Sequence, residues 1–596
     1  MPSVSKRWHV FERVPEEYFS RFPDLPRVIV QILHNRRLRD TREVRDFLER
    51  RTTGPMDPFQ LKGMAQAVER LWRAIRDGDL IAVYGDYDAD GITATALMVQ
   101  TLTALGGRVE PYIPNRFDEG YGLNKGALTR LAGKGTKVVL TVDCGIRSVK
   151  EVVHGNQLGL DMILTDHHHM GADMPPALAA INPKQPDCSY PFKQLAGVGL
   201  AFKLAQALLQ EVSQGHPRRE SLYEEDLLDL VALGTVADLA PLVGENRMLV
   251  ARGLEQLNAP RRLGVQTLLA QARILPGKVD ASSIGFGLGP RLNAAGRLES
   301  ALDAYDLLVT HDVFRAGQLA QQLETQNHER QLMTQATVEQ ARQVILDDKI
   351  SRLLYIIDEP SYNTGIVGLV SSRLTEEFYR PTLVARRGHL RTKGSARSIP
   401  EFHITNALDE CASLLERYGG HSVAAGFTLK NDNVAALKAK LLDIAERELA
   451  GMELVPTLEI DAKLNLRAIR RRRVEDLLSG RAAGRAVDGK DVGLQILDGL
   501  NQLRPYGAGN PEPVFVSHGL EVKGKRLVGA EGKHLKLVLS DGQQIWHAIA
   551  FRMGSLHGVL PDRVDLAYTL EINEWNGRQR LQLNVKDIRP AEAGDA

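Results

Sequence analysis

Two apolar runs in this chain end in the same way. Val83-Tyr84 runs into Gly85-Asp86-Tyr87-Asp88-Ala89-Asp90-Gly91, and Met162-Ile163-Leu164-Thr165 runs into Asp166-His167-His168. An apolar run of strand length that stops at clustered acids or imidazoles delivers them to the C-terminal end of a strand, the edge at which parallel sheets bind ligands. Two such strands side by side describe a divalent-metal site at the mouth of the sheet. The surrounding pattern agrees: apolar segments at 81–84, 138–142 and 162–165 alternate with helical stretches at 92–105 and 148–157, which predicts crossover helices over a parallel sheet. The apolar stretch 227–236 ends at Ala237-Asp238, and periodicity leaves helix and buried strand equally open there.

A chain of 596 residues exceeds what one core can organise, so several domains are expected. With 75 basic against 74 acidic residues, the balance advertises no polyanion partner, and a nucleic-acid surface would have to come from local segregation of charge. Three dispersed cysteines (Cys144, Cys188, Cys411) suggest neither a disulfide framework nor a thiolate zinc site, and they fit a reducing cytoplasm. Residues 1–8 lack the apolar core of a signal peptide, and no stretch stays apolar long enough for a bilayer, so neither export nor a membrane partner is expected.

The expected organisation is multidomain α/β. A helical lead-in (1–60), in which Thr41 is a plausible N-cap, precedes a catalytic parallel-sheet domain (61–250), and a linker with a long helix (251–348) follows, since 314–345 is rich in Gln, Glu, Ala and Leu. A second α/β domain (349–450) shows strands near 353–358 and 381–385, then glycine-rich loops and a helix near 406–417. The last segment (451–596) opens with the basic cluster Arg467, Arg470, Arg471, Arg472 and Arg473, which can equally be a solvated helix face. Beyond Pro505, about five short alternating strands predict a small β-barrel of oligonucleotide-binding type.

Phosphoryl chemistry uses cations roughly 3.5–4 Å apart to activate water and neutralise the phosphate, and carboxylates with an imidazole suit magnesium or manganese. Asp88, Asp90, Asp143, His167 and Asp238 are the candidates. Each alone has a blander reading, because an Asp after a strand is commonly a turn residue or helix N-cap; the clustering of the set favours ligation. Asp86-Tyr87-Asp88-Ala89-Asp90-Gly91 also echoes a calcium loop, but Leu97 stands where that loop needs a glutamate.

The set Gly85 to Gly91, Val142-Asp143-Cys144-Gly145, Thr165 to His168 and Gly234-Thr235-Val236-Ala237-Asp238 resembles the four motifs of the DHH phosphoesterase superfamily, and within it the bacterial RecJ family of single-strand-specific exonucleases. Pro114-Asn115-Arg116-Phe117, Tyr121-Gly122-Leu123, Ala196 to Gly199, Gly289 to Arg297, Gly419-Gly420-His421 and Pro505 to Pro511 extend the likeness from about residue 80 to the end. The resemblance implies that Asp88, Asp90, Asp143, His167 and Asp238 hold two Mn2+ or Mg2+ ions, that His168 contacts the phosphate or the attacking water, and that Asp86 and Asp166 hold ligands in place. It assigns the 349–450 segment to a DHH-associated domain, where Ser395 and Arg397 would take a terminal 5′-phosphate and Gly420 and His421 line the site, helped by Arg116, Arg291, Asn293 and Arg297. Two positions depart from the family pattern: Tyr84, where smaller diesterases have a His that would help hold the first metal, and Tyr362-Asn363, where many relatives have Trp-His.

In the barrel, Lys523, Lys525, Arg526, Lys533, His534 and Lys536 gather on one expected hairpin, with Trp546 and Phe551 as candidate stacking platforms; strand aromatics are as readily core. The implied activity is metal-dependent 5′→3′ hydrolysis of single-stranded DNA to mononucleotides in repair and recombination, with a single-strand-binding protein and a helicase as candidate partners. Alternatives are a small-substrate phosphodiesterase acting on short RNA or cyclic dinucleotides, and a non-catalytic strand-binding protein of the same fold. Small-substrate enzymes lack a barrel, and non-catalytic relatives have lost the acids that this chain keeps.

Overall fold

The computed structural model describes every residue except 1–5, 53, 55, 117, 118, 121, 214–221, 348–351, 470, 472–474, 476–491, 576, 577 and 592–596. The chain forms two compact units. One comprises Arg45–Gln331 with Leu503–Pro511; the other comprises Met1–Val44, Leu332–Gln502 and Glu512–Ala596.

The chain opens on strand β1 (Arg7–Val10) and enters the first unit, whose sheet contains β2 (Leu80–Tyr84), β3 (Arg108–Tyr112), β4 (Thr136–Val142), β5 (Asp161–Thr165) and β6 (Ala179–Ile181). All pairings are parallel, in the order β3-β2-β4-β5-β6. Ile81, Val83, Leu140 and Ile163 belong to the core on one face of this sheet; Ala82, Tyr84, Val139 and Leu164 belong to the core on the other. Burial on both faces is why these strands read as continuous apolar runs. The strand order reverses at β2, so a crevice lies between the C-terminal ends of β2 and β4, the place where such sheets bind ligands.

Leu228–Ala237 is a helix. Residues 228–236 are all buried, so the segment carries no polar stripe and its sequence has no helical period to read. The expected connecting helix is Val313–Asp347, 35 residues long, carrying the chain from one unit to the other.

In the second unit, β7 (Tyr355–Glu359), β8 (Thr382–Arg387), β9 (Arg391–Arg397), β10 (Arg417–His421) and β11 (Ala424–Lys430) form a mixed sheet in the order β10-β11-β9-β8-β7. The helix expected near 406–417 is only Ile404–Glu410, and Arg417 starts a strand. Gly419 and Gly420 therefore lie in a hairpin ladder opposite Gly426 and Ala425, whose pairing outweighs their loop-like composition.

After β12 (Thr457–Ile460), the strands β13 (Ala462–Lys463), β14 (Phe515–Val528), β15 (His534–Ser540), β16 (Ile545–Ala550), β17 (Arg563–Trp575) and β18 (Arg578–Pro590) run in the order β13-β14-β15-β16-β18-β17, and a β14–β17 pairing closes them into a barrel. The N-terminal segment is more than the expected helical lead-in: β1 pairs in parallel with β12, and Asn35 donates to the Asp461 carbonyl. Four residues are too few to show strand alternation in sequence. Of the basic cluster, Arg467 donates to the Asp541 carbonyl and Arg471 pairs with Glu475, while Arg470, Arg472 and Arg473 lie outside the described residues.

Candidate metal centre

The crevice of the first unit collects the acids from four segments. Asp86 and Asp88 follow β2, and Asp88 is the N-cap of the helix Ala89–Ala104, one oxygen accepting from the Asp90 and Gly91 N–H groups. The bland N-cap reading of Asp88 is thus correct and compatible with ligation through its other oxygen. Asp90 sits in the first turn, its two oxygens accepting from the N–H groups of Gly197 (2.7 Å) and Val198 (2.8 Å) at the start of the helix Gly197–Ser213. Asp143 follows β4 in the left-handed region (φ 63°), Asp166 to His168 follow β5, and Asp238 is the C-cap of Leu228–Ala237.

These side chains converge. His167 Nε2 lies 3.2 Å from Asp143 Oδ1, 3.7 Å from Asp238 Oδ2 and 3.8 Å from Asp90 Oδ2. Among the described residues, three sets have ligand atoms within 4.8 Å of one another: Asp90, His167 and Asp238; Asp143, His167 and His168; Asp86, Asp88 and Asp143. Asp86, expected to support the ligands from behind, stands in a ligand-spaced set itself. Asp86 Oδ1, Asp143 Oδ1 and His167 Nε2 are buried without a hydrogen-bond partner among the described residues. Buried polar atoms are rarely left so. Burial and then the neighbouring Asp88 push Asp90 up to about 7, burial with Asp90 and Asp88 pushes Asp238 up to about 9, and Asp86 and Asp143 rise for the same reasons. Burial, followed by the charge on His168, lowers His167 to about 3, the neutral form a ligand needs. Crowded carboxylates beside a neutral imidazole are the donor set that hard divalent cations stabilise, so the residues fit Mn2+ or Mg2+.

The packing that brings them together is tight. A Cβ on Gly197 would lie 2.6 Å from the Asp143 side chain, and one on Gly234 2.3 Å from Thr93 Oγ1 and 2.9 Å from Asp90 Oδ1. Asp166 accepts from both the backbone N–H (2.9 Å) and Nδ1 (2.8 Å) of His168, and from the Ile146 N–H (2.8 Å). Burial works against a charged His168, but the Asp166 bond wins and raises its proton affinity. Tyr84 is a packing residue: buried and stacked on Tyr112, it donates to the Gly122 carbonyl and takes a bond from Asn124.

Beside Asp88, Arg297 is half-buried, and loss of solvent with the charges of Arg116 and Arg330 lowers it to about 10. Arg116 lies over the Tyr87 ring at 4.9 Å. Like-charged guanidiniums gathered at one place favour an anion between them. Arg291, on the same helix as Arg297, pairs with Glu324 (2.5 Å) and donates to the Gly287 carbonyl. Asn293 accepts from the Ala89 N–H, supporting the loop of Asp86 to Asp90. Phe117 and Tyr121 lie outside the described residues. Sequence reading missed Arg330, and it missed Asn182 and Lys184, which bond the backbone carbonyls of His168 (2.9 Å) and His167 (2.5 Å) from beyond β6. An Asn-Pro-Lys turn offers no signal of such a partner.

In the second unit, Arg397 donates to Ser395 Oγ (2.9 Å), and a Cβ on Gly368 would lie 3.2 Å from that oxygen and 3.5 Å from the guanidinium. Burial lowers the Arg397 pKa, and among the described residues no carboxylate pairs with it. Gly420 and His421 lie in the exposed strand β10, the His421 carbonyl accepting from Thr405. Tyr362, at the Trp-His position, is buried in the apolar core.

The barrel hairpin β14–β15 carries the expected cations on its outside. Lys523 pairs with Glu521 and Lys533 with Glu531, Lys525 donates weakly to the Leu560 carbonyl, and Arg526 stands directly opposite Lys536. Neither Arg526 nor Lys536 has an ion-pair partner among the described residues. Cations facing each other across a ladder destabilise it unless an anion arrives. Trp546 is not a stacking platform: it is fully buried, its indole N–H donating to Asp541 (3.0 Å), because it fills the barrel interior. Phe551 is exposed, edge-on to His534. Among the described residues no helix is long and apolar enough to cross a membrane.

Comparison with known proteins agrees with this geometry. The chain matches the DHH family N-terminal domain over residues 80–235, the DHHA1 domain over 350–450 and the RecJ OB domain over 485–587. It is 36% identical over 593 residues to the single-stranded-DNA-specific exonuclease RecJ of Escherichia coli, covering 95% of this chain and 97% of that one. The RecJ of Bacillus subtilis is 36% identical over 569 residues, covering 95% and 68%. The solved structure of RecJ in complex with Mn2+ from Thermus thermophilus superposes with a TM-score of 0.80 at 31% identity, covering 98% of this chain and 80% of that one. A metal-centred parallel sheet, a DHHA1 domain and an OB barrel, matched along nearly the whole chain at this identity, mean that the chain belongs to the RecJ family of single-stranded-DNA-specific exonucleases.

Proposed function

We propose that this protein hydrolyses single-stranded DNA from its 5′ end to mononucleotides, using Mn2+ or Mg2+ held by Asp88, Asp90, Asp143, His167 and Asp238, with Asp86 as a further ligand. The carrying observation is the convergence of these donors around the unpartnered Asp143 Oδ1 and His167 Nε2. When bound, the cations supply charge neutralisation of the phosphate and lower the pKa of water. The protein's own groups do the rest. Asp166 fixes His168 through Nδ1, and the charged ring favoured by that bond offsets negative charge building on the phosphate. Arg116 and Arg297 bind phosphate oxygens beside Asp88. The barrel cations, led by Arg526 and Lys536, track the backbone of the strand without reading its bases.

The 5′ polarity of the proposal rests on Arg397, a half-buried guanidinium that meets the Ser395 hydroxyl, the Ala396 carbonyl and Gly368, which suits a terminal phosphate. Single strands supplied by a helicase and coated by a single-strand-binding protein in the cytoplasm complete the reading, since a strand-specific enzyme needs its substrate unpaired. The test compares 5′-phosphorylated and 5′-hydroxyl single strands, a duplex and a cyclic dinucleotide, with wild type and Arg397→Ala. A charge-assisted contact to phosphate contributes about 1.5–3 kcal/mol, so the variant should lose about tenfold to a hundredfold on the 5′-phosphorylated strand and little on the 5′-hydroxyl strand. Equal losses on both strands would remove the polarity assignment, and a wild-type preference for the cyclic dinucleotide would overturn the substrate class.

A further inference from the structure

Asp238 is held differently from the other candidate ligands. They stand on the sheet edge or at a helix N-terminus, whereas Asp238 caps the C-terminal end of Leu228–Ala237: its N–H bonds the Gly234 carbonyl (2.9 Å), and on its other side it borders the loop that follows. That loop is strained at its first residue. Leu239 takes φ 60°, with its N–H on the Val236 carbonyl and the Ala240 N–H on that of Thr235, the helix-ending arrangement in which glycine is favoured. Leu239 is also 73% exposed, so its own side chain does little to hold the conformation. A strained residue beside a functional group persists only where the surroundings impose it.

The segment Leu503–Pro511 supplies that restraint. It is distant in sequence, yet it belongs to the same compact unit. The Leu242 N–H donates to the Ala508 carbonyl (2.6 Å), while Gly507 and Gly509 fit so closely against the loop that a Cβ would lie 2.7 Å from the Leu242 side chain and 3.1 Å from Pro241. The turn is fixed from inside by Asn510, which is fully buried: its amide donates to the carbonyls of Leu503 (2.9 Å) and Pro505 (2.7 Å), and its backbone pairs both ways with Gly507. From the other side, Arg247 donates to the carbonyls of Arg504 (2.9 Å) and Phe47 and stacks at 3.7 Å on the Phe47 ring.

We propose that the turn formed by residues 504–510 is a positioning element for the metal centre, with Asn510 and Arg247 as its positioning residues: it clamps the 239–243 loop and so sets the Asp238 carboxylate. The proposal rests on the reading of Asp238 as a ligand. It implies that cutting away the C-terminal region would alter cation binding as well as strand binding, because this turn would leave with it.

The test titrates full-length, metal-free protein with Mn2+ by calorimetry, alongside melting curves and steady-state kinetics on single-stranded DNA. Asn510→Ala, and independently Gly507→Ala, should weaken Mn2+ binding about tenfold and lower kcat at fixed Mn2+ with KM for DNA within about twofold, as expected for a misplaced ligand. Adding Leu239→Gly to either variant should recover most of the Mn2+ affinity, because glycine adopts the left-handed conformation without restraint. A purely structural role would lower the melting temperature but would not be rescued at Leu239. Unchanged Mn2+ affinity in folded Gly507→Ala, or absence of rescue by Leu239→Gly, would overturn the proposal. Asp238→Ala serves as the control: if it leaves Mn2+ affinity intact, the ligand reading itself fails, whereas loss there with indifference at positions 507 and 510 removes the clamp alone.

Discussion

Asp143→Asn is expected to lower turnover on single-stranded DNA by about a thousandfold at saturating Mn2+, with DNA affinity changed by no more than about twofold. Among the described residues, Asp143 belongs to two of the three ligand-spaced sets, and its Oδ1 is buried beside His167 Nε2 (3.2 Å), so its carboxylate is placed for cations shared with that ring. The Lewis acidity it secures is worth several kcal/mol of transition-state stabilisation, and each 1.4 kcal/mol is a factor of ten in rate. Asparagine is the substitution of choice because the residue sits at φ 63°, where asparagine is at ease and alanine strained. Turnover is measured on a labelled strand, and affinity by anisotropy in metal-free buffer. Retention of more than about a tenth of wild-type turnover would show that the site has been misassigned.

Gly197→Ala should cost about a hundredfold in turnover although residue 197 offers no side chain to the chemistry. The added Cβ would fall 2.6 Å from both Cβ and Oδ1 of Asp143, so one of them must move. Movement of the helix start would disturb the Gly197 and Val198 N–H bonds to Asp90, and movement of Asp143 would displace a ligand. A misplacement of about 1 Å at a reacting centre can cost a hundredfold. Kinetics with a melting curve separate this from unfolding: activity near wild type in a folded variant would mean that the close approach of helix and ligand is not needed.

What the sequence made legible follows from how local each signal was. The strand ends at Asp86 to Asp90, Asp143 and Asp166 to His168 were readable because a parallel sheet buried on both faces writes its strands as apolar runs and its ligands immediately after them. Asp238 was found by motif, but its setting was not, since a helix buried on all sides has no period. Whether Trp546 was a platform or core stayed open because alternation along a strand does not say which face is the barrel interior. The Glu324 partner of Arg291 was not legible because it lies on another helix, and a motif arginine looks the same whether or not a glutamate meets it. Arg330, Lys184 and the turn at 504–510 depend on contacts between segments far apart in the chain, which neither composition nor spacing records.

The account stands most directly on the claim that the buried acids and His167 bind a pair of divalent cations. Metal-free protein titrated with Mn2+, with bound metal counted by mass spectrometry under native conditions, should take up about two ions per chain in the wild type and lose at least one in Asp143→Asn. Wild-type protein that stays metal-free, or an Asp143→Asn variant with the same stoichiometry and affinity as wild type, would contradict it.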